Sequence, residues 1–252
     1  MRKRILVSGV LPLLCSTVFA QVIPQEGLVA YYKFDEPDAP FVTDYGPNGF
    51  HGEVAGIGIW DVGVVGQAML FDGIGTYVNC GNDPLFDMTA NGAITLMAWV
   101  HPFDAGNGEH NEWITKGDHA WALKQHSSSN MSEFFVYDPT LIGLGGNNWH
   151  VVRGVVMDSA DYNGKWTHFA GTYDGVNLKI FHDGNLDSTV TSSPAFNVRA
   201  EPVHLGHNAE RTDRYFNGFL DEVIIWNVAL SDEQVKAIYE SYPGITAVKQ
   251  PD

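Results

Sequence analysis

The chain has 252 residues, 44% of them hydrophobic, and sets 30 acidic side chains against 14 Lys and Arg for a formal net charge of −16. So acidic a surface repels nucleic acid and anionic membranes, because phosphate binding needs clustered Lys and Arg. It suits a soluble extracellular protein, and clustered acids are the usual donors of calcium sites.

The chain opens with Met1-Arg2-Lys3-Arg4, followed by an apolar run from Ile5 to Phe19. Val18-Phe19-Ala20 then presents the small-x-small pattern that signal peptidases cut. Residues 1–20 therefore read as a signal peptide, and Gln21 as the first residue of a secreted or periplasmic protein. The apolar run is too short to span a bilayer, and Leu14 before Cys15 argues against a lipid anchor. Beyond residue 20, 11 Lys and Arg face all 30 acids, a charge of −19. Cys80 is then the remaining cysteine, so no intramolecular disulfide is expected and stability must come from a hydrophobic core. Residues 21–244 are long enough for one large all-β domain, and residues 245–252 read as a tail.

Alternation with a period of two recurs along this domain. Residues 28–34 read as a strand ending at Asp35-Glu36-Pro37. Ala68-Met69-Leu70-Phe71 leads into an Asp72-Gly73 turn, and Tyr77-Val78-Asn79-Cys80 follows. Residues 93–101 are apolar on nearly every position, as a strand central to a sandwich should be. Further strands are expected at 111–116, 120–126, 132–138, 150–157, 166–173, 176–182, 186–191, 202–206 and 219–226. Asp174-Gly175 and Asp183-Gly184 bracket a short strand and predict two consecutive hairpins. Helical periodicity occurs once, at residues 231–239. There Ser231 and Gln234 form a capping box, Asp232 and Glu233 sit at the positive end of the helix dipole, and Val235, Ile238 and Tyr239 share one face.

The order of these segments is informative in itself. Gly27-Leu28-Val29-Ala30-Tyr31-Tyr32-Lys33-Phe34, Asp44-Tyr45-Gly46-Pro47-Asn48-Gly49 and Gly66-Gln67-Ala68-Met69-Leu70-Phe71-Asp72-Gly73 come first. Ala98-Trp99-Val100, Trp166-Thr167-His168-Phe169-Ala170 and Thr172-Tyr173-Asp174-Gly175 follow. Phe216-Asn217-Gly218-Phe219-Leu220-Asp221-Glu222-Val223 and Trp226-Asn227-Val228-Ala229-Leu230-Ser231 close the series. Together they resemble the laminin-G-like jelly-roll domains of the concanavalin A-like lectin/glucanase superfamily, over roughly residues 27–242. The resemblance implies an all-β fold, a two-sheet antiparallel jelly-roll sandwich with one short C-terminal helix, in which the first and last strands pair. It implies core roles for Trp99, Trp166, Phe169, Tyr173 and His168, and Cys80 reads as a small buried residue. It also implies a structural calcium ion between the N-terminal segment and the last strand, with Asp35, Asp44, Asn48 and Asp221 as the matching ligands.

Catalytic patterns are missing from the sequence. Glucanases of this fold carry Glu-x-Asp-x-x-Glu on one strand, which puts three carboxylates on one face; no such triplet occurs. Asp221 and Glu222 are adjacent and are expected to face opposite sides of their strand. Neither the Arg/Glu-rich and Gln-x-His strands of alginate lyases nor a nucleophile elbow is present. His204-Leu205-Gly206-His207 has ligand-like spacing but reads as a strand end with exposed histidines rather than as a zinc site. For recognition, Gly145-Gly146-Asn147-Asn148-Trp149-His150 sets a tryptophan in a polar, Gly-rich loop. Trp149 either tucks into the core or stands as a sugar-stacking platform, with Asn147, Asn148 and His150 as hydrogen-bonding neighbours. Trp113 and Trp121 are candidates to line the same concave face. The sequence therefore predicts a secreted, non-catalytic binding or adhesion module for a polysaccharide or surface glycan, stabilised by calcium. The neutral Asn and His groups suit uncharged sugar hydroxyls, and the charge of −19 beyond residue 20 argues against an anionic glycan unless Arg153 or calcium offsets it. A carbohydrate-active enzyme and a purely structural domain are the alternatives, since jelly rolls host all three.

Overall fold

The computed structural model describes residues 23–36, 40–141 and 147–244. The expected signal peptide, the tail from residue 245 and Gly145-Gly146 lie outside the described residues. Two antiparallel sheets stack face to face. The first runs in the order β14 (Asn185–Thr191), β13 (Asn177–His182), β12 (Thr167–Tyr173), β7 (Ile94–Pro102), β16 (Asn217–Trp226), β5 (Gln67–Asp72), β4 (Ile59–Val62). β1 (Leu28–Tyr32) pairs with the second half of β16, so the first and last strands meet as expected. The second sheet runs β11 (Trp149–Val156), β10 (Met131–Tyr137), β9 (Trp121–Gln125), β8 (Asn111–Thr115), β15 (His204–Leu205), β6 (Tyr77–Asn79), β3 (Gly52–Ala55), β2 (Phe41–Val42).

The main core fills the space between the sheets. Phe71, Trp113, Trp121, Phe134, Phe169 and Tyr173 are buried there, and the Trp113 and Phe169 rings stack at 4.6 Å. Burying an aromatic side chain of this kind contributes roughly 1.5–3 kcal/mol. A second cluster covers the outside of the first sheet, where α2 (Asp232–Ser241) lies over Trp99, Met97, Ala170 and Ile224. Its capping box is complete: Gln234 N donates to Ser231 Oγ and Ser231 N to Gln234 Oε1. Val235 and Ile238 are buried, and Tyr239 stacks on Trp99. β7 is thus covered on both faces, by the core and by the helix, which explains its near-continuous apolar run. Cys80 and His168 are buried, as their sequence contexts imply.

Three strands escaped sequence reasoning. β2, β3 and β4 are two to four residues long and half exposed, so no alternation marks them. α1 (Ser159–Tyr162), a single turn capped by Asp158, was also unforeseen. The expectation for Asp221 and Glu222 is corrected. A bulge between Asp221 and Ile224 puts Glu222 at φ 52°, breaking the strand's alternation. Asp221 then pairs across from Trp99, and Glu222 accepts a hydrogen bond from Tyr31 OH, so both carboxyls face the helix side.

Candidate functional site

The outer face of the second sheet carries a row of charged residues that form a ladder. Direct cross-strand register pairs Glu112 with Lys124, Lys124 with Glu133, and Glu133 with Arg153, on β8, β9, β10 and β11 in turn. Alternating signs at opposed positions attract across a sheet. Lys124 Nζ lies 3.3 Å from Glu112 Oε1 and 3.9 Å from Glu133 Oε1, and Arg153 Nε and Nη2 each lie 2.7 Å from Glu133 Oε2. Glu112, Lys124 and Glu133 are buried. Burial raises the Glu112 carboxyl above its ordinary value, against the pull of Lys124 and Arg214.

One row along, Ala122, Phe135 and Val151 are in register, and beyond them Tyr137 faces Trp149. The Trp149 ring packs edge-on against Tyr137 at 5.0 Å, and its Nε1 donates to the Asp118 carbonyl at 2.7 Å. That fixes the indole while leaving it 40% exposed, so it is neither buried nor free. Asp118, on the turn after β8, gathers the opposite wall. Its carboxylate accepts from Arg211 Nε, Arg214 Nη1 and Asn208 Nδ2, each at 2.8 Å. Burial would raise this acid, but the Arg211 hydrogen bond and the Arg214 charge hold it below the usual carboxylate range. His110 closes one end, its Nδ1 3.3 Å from Lys124 Nζ. Burial, then the Lys124 and Arg214 charges, push His110 down to about 3, so it is neutral near pH 7. The result is a cleft of about 320 Å³ between Trp149, the ladder and the Arg211–Arg214 loop.

A sequence model described as concanavalin A-like lectin/glucanases superfamily, of the laminin-G type, matches residues 72–236. The chain belongs to that superfamily. No curated protein matches this concanavalin A-like chain. Among solved structures, domain 4 of AbnA, a GH43 extracellular arabinanase from Geobacillus stearothermophilus, in complex with arabinotriose, is similar at TM-score 0.65 and 20% identity. The likeness covers 84% of this chain and 98% of that one. The binding domain of Paraclostridial Mosquitocidal Protein 1 gives TM-score 0.65 at 13% identity, covering 86% of this chain and 52% of that one. The binding domain of botulinum neurotoxin serotype D/C gives 0.64 at 14%, with 86% and 52% covered. At such identities the likeness speaks for the fold.

Of the four residues expected around the ligand, the concanavalin A-like sandwich brings two to the cleft, Trp149 and Asn147. Asn148 instead ties the loop, its Nδ2 donating to the Asp138 carbonyl. His150 follows Trp149 on the strand and so points away from it, to Ser192 Oγ. Trp113 and Trp121 do not line the outer face; both are fully buried between the sheets, on the opposite parity from Glu112 and Lys124. Arg153 was singled out only as a charge that could offset the acidic background, and Lys124, Glu133, Asp118, Arg211 and Arg214 went unrecognised. The signal was a lone charge inside each apolar stretch, as in Ala122-Leu123-Lys124 and Glu133-Phe134.

The calcium candidates separate into two places. Asp44 accepts from the backbone N–H groups of Tyr31, Gly46 and Phe50, and Asn48 Nδ2 donates to the Val29 carbonyl. Both side chains organise the loop after β2. Asp35 and Asp221 each hold backbone N–H groups of the turn after β4 instead. Asp221 Oδ2 accepts from Val64 N and Val65 N, and Asp35 Oδ1 from Gln67 N. Asp221 Oδ1 is buried without a hydrogen-bond partner, and burial, with the Glu222 charge, raises this carboxyl to about 8. A cation is one remedy for such a group. Asp35 and Asp221 therefore fit calcium better than Asp44 or Asn48, although no group of three or more His, Cys, Asp or Glu converges among the described residues.

The histidine pair also differs from expectation. Gly206, at φ 76°, turns the chain so that His204 and His207 share one side, Nδ1 to Nδ1 at 3.1 Å. Both are buried rather than exposed, with Tyr77 and Tyr215 packed on them. Burial lowers both imidazoles below their ordinary value, so near neutral pH one ring N–H donates to the other ring.

Proposed function

We propose that this is a secreted, non-catalytic carbohydrate-binding module whose glycan site is the cleft on the outer face of the second sheet. The observation that carries the reading is Trp149, held half exposed by Tyr137 and Asp118 at the mouth of a cleft rich in hydrogen-bonding groups. An indole left in water forgoes roughly 1.5–3 kcal/mol of burial, and one fixed in place loses little entropy when a sugar ring stacks on it. Support for the ligand class comes from the AbnA domain that shares the fold and was solved with arabinotriose. Support for a non-catalytic role comes from the acids of the cleft. Asp118 is held by three donors and Glu133 by Arg153 and Lys124, while Glu112 lies beneath Lys124. Asp118 and Glu133 are thus engaged and Glu112 is fully buried, so none is placed to move a proton to a bound sugar or attack its anomeric carbon, as glycoside cleavage requires.

Trp149→Ala tests the site. Truncating a tryptophan at the centre of a binding patch costs about 2 kcal/mol or more, equivalent to roughly a 30-fold loss of affinity. Affinity electrophoresis in gels cast with soluble polysaccharides should show retention lost, with the fold intact by circular dichroism. Undiminished retention would place the site elsewhere.

A structural calcium ion completes the proposal, held by Asp35 and Asp221 beside the turn that follows β4. Calcium at a hundred times its Kd should stabilise the fold by about 2.7 kcal/mol. Thermal melts in EDTA and in calcium read this directly. Asp221→Asn should abolish the difference between the two conditions, whereas Asp44→Asn should lower both melting points alike, its carboxylate being engaged by backbone N–H groups. Equal midpoints for the unaltered protein in the two conditions count against calcium.

A further inference from the structure

The cleft is basic in a chain that is otherwise strongly acidic. Beyond residue 20 the sequence has four arginines, and three of them, Arg153, Arg211 and Arg214, line this one cleft. We propose that its ligand is an acidic glycan, one whose sugars carry carboxylate groups that the Arg153 and Arg211–Arg214 guanidiniums bind. The proposal rests on the reading of the cleft as a glycan site and specifies the charge of its occupant.

The argument is one of layering. Each arginine has a carboxylate partner, but the partners lie underneath. The Arg153 side chain is 40% exposed above a Glu133 side chain that is 4% exposed. Arg211 is 49% exposed above Asp118 at 9%. A molecule entering the cleft therefore meets guanidinium before carboxylate, although the ladder beneath is nearly balanced. The acids also fix where the cations stand. Arg211 binds Asp118 through Nε and Arg214 through Nη1, so the other N–H groups of each fork are not held by Asp118. A guanidinium so anchored loses little freedom on accepting a second planar anion, and its fork matches a carboxylate in a bidentate arrangement. A structural purpose explains the arrangement poorly. Buried charge networks are often no more stabilising than apolar residues of the same volume, and the half-exposed arginines add still less. The contrast also gives selectivity: a net charge of −19 beyond residue 20 repels acidic polymers in general, and Arg153, Arg211 and Arg214 offset it locally at this cleft. Neutral His110 leaves room for a hydroxyl contact without adding charge.

The test sets acidic polymers against an esterified counterpart and against neutral polymers. The protein beyond residue 20 is run in affinity gels containing polygalacturonate or alginate, and in matched gels containing fully methyl-esterified pectin, arabinan or laminarin. Retention by an acidic polymer, at least tenfold weaker on its esterified form, is expected, and it should fall as NaCl rises from 20 to 300 mM. Arg211→Gln should weaken that retention several-fold, with circular dichroism and melting unchanged. Preference for a neutral polymer, independent of salt but dependent on Trp149, would overturn the acidic ligand and leave the cleft as the glycan site. Retention that ignores Trp149 and Arg211 alike, or retention by none of the polymers, would overturn both.

Discussion

Gly206→Ala is expected to lower the free energy of unfolding by roughly 2–6 kcal/mol, the sum of left-handed backbone strain and overpacking. Gly206 holds φ 76°, and a Cβ there would stand 2.0 Å from the Phe71 ring in the main core. Phe71 cannot retreat easily, because it is fully buried and packed against Phe34 and Phe216. Gly206 N also donates to the Trp113 carbonyl, and its own carbonyl accepts from Phe216 N. The residue therefore joins the two-residue strand β15 to the loop that carries Arg211 and Arg214. Against a typical domain stability of about 5–15 kcal/mol, the loss should be plain in urea unfolding. A midpoint within 0.3 M of the parent would refute this account of the turn.

Acid should destabilise the protein through His168. The imidazole is fully buried beside Trp99, Tyr239 and Tyr242, with neither ring nitrogen hydrogen-bonded to the described residues. Burial, with a smaller contribution from the His182 charge, pushes it down to about 3. In the unfolded chain the same ring titrates near 6.5. Below that pH the unfolded state binds a proton that the folded state refuses, so stability falls by up to about 1.4 kcal/mol per pH unit as pH drops from 6.5 towards 3. His204, lowered to about 4 by burial, acts in the same sense. Asp221, raised to about 8, acts in the opposite sense, because its folded state takes up the proton first. The comparison with His168→Leu isolates the one residue. The variant should match or exceed the parent at pH 7, since two unsatisfied nitrogens are removed. It should then gain on the parent by about 2 kcal/mol by pH 5. Parallel pH profiles for the two proteins would show that His168 is not held neutral.

What was legible in the sequence follows from distance along the chain. β7, β12, β13 and the α2 cap are written in contiguous residues: an unbroken apolar run, two Asp-Gly turns, a Ser231-to-Gln234 box. The short strands between residues 41 and 62 carry no such signature, because they are paired by register with distant partners rather than by their own alternation. The cleft is harder still. Its ladder takes one residue from each of four strands, so the pattern within any one strand shows a single member. Trp149 was recognisable from its loop, whereas assigning Trp113 and Trp121 to the same face failed on parity. Glu112 and Lys124 occupy the outward positions, and their tryptophan neighbours must then point inward. The Asp221–Glu222 bulge inverts that rule at one residue, where alternation is suspended by a left-handed backbone.

The half-exposed setting of Trp149 also makes the protein its own optical reporter. Trp99, Trp113, Trp121 and Trp226 are enclosed by the two cores, while the Trp149 indole faces the solvent of the cleft. Its share of the emission is the part that iodide or acrylamide can most readily extinguish. A glycan seated over the ring would shield it from the quencher and alter its emission wavelength. Occupancy can thus be followed by titration, without a label.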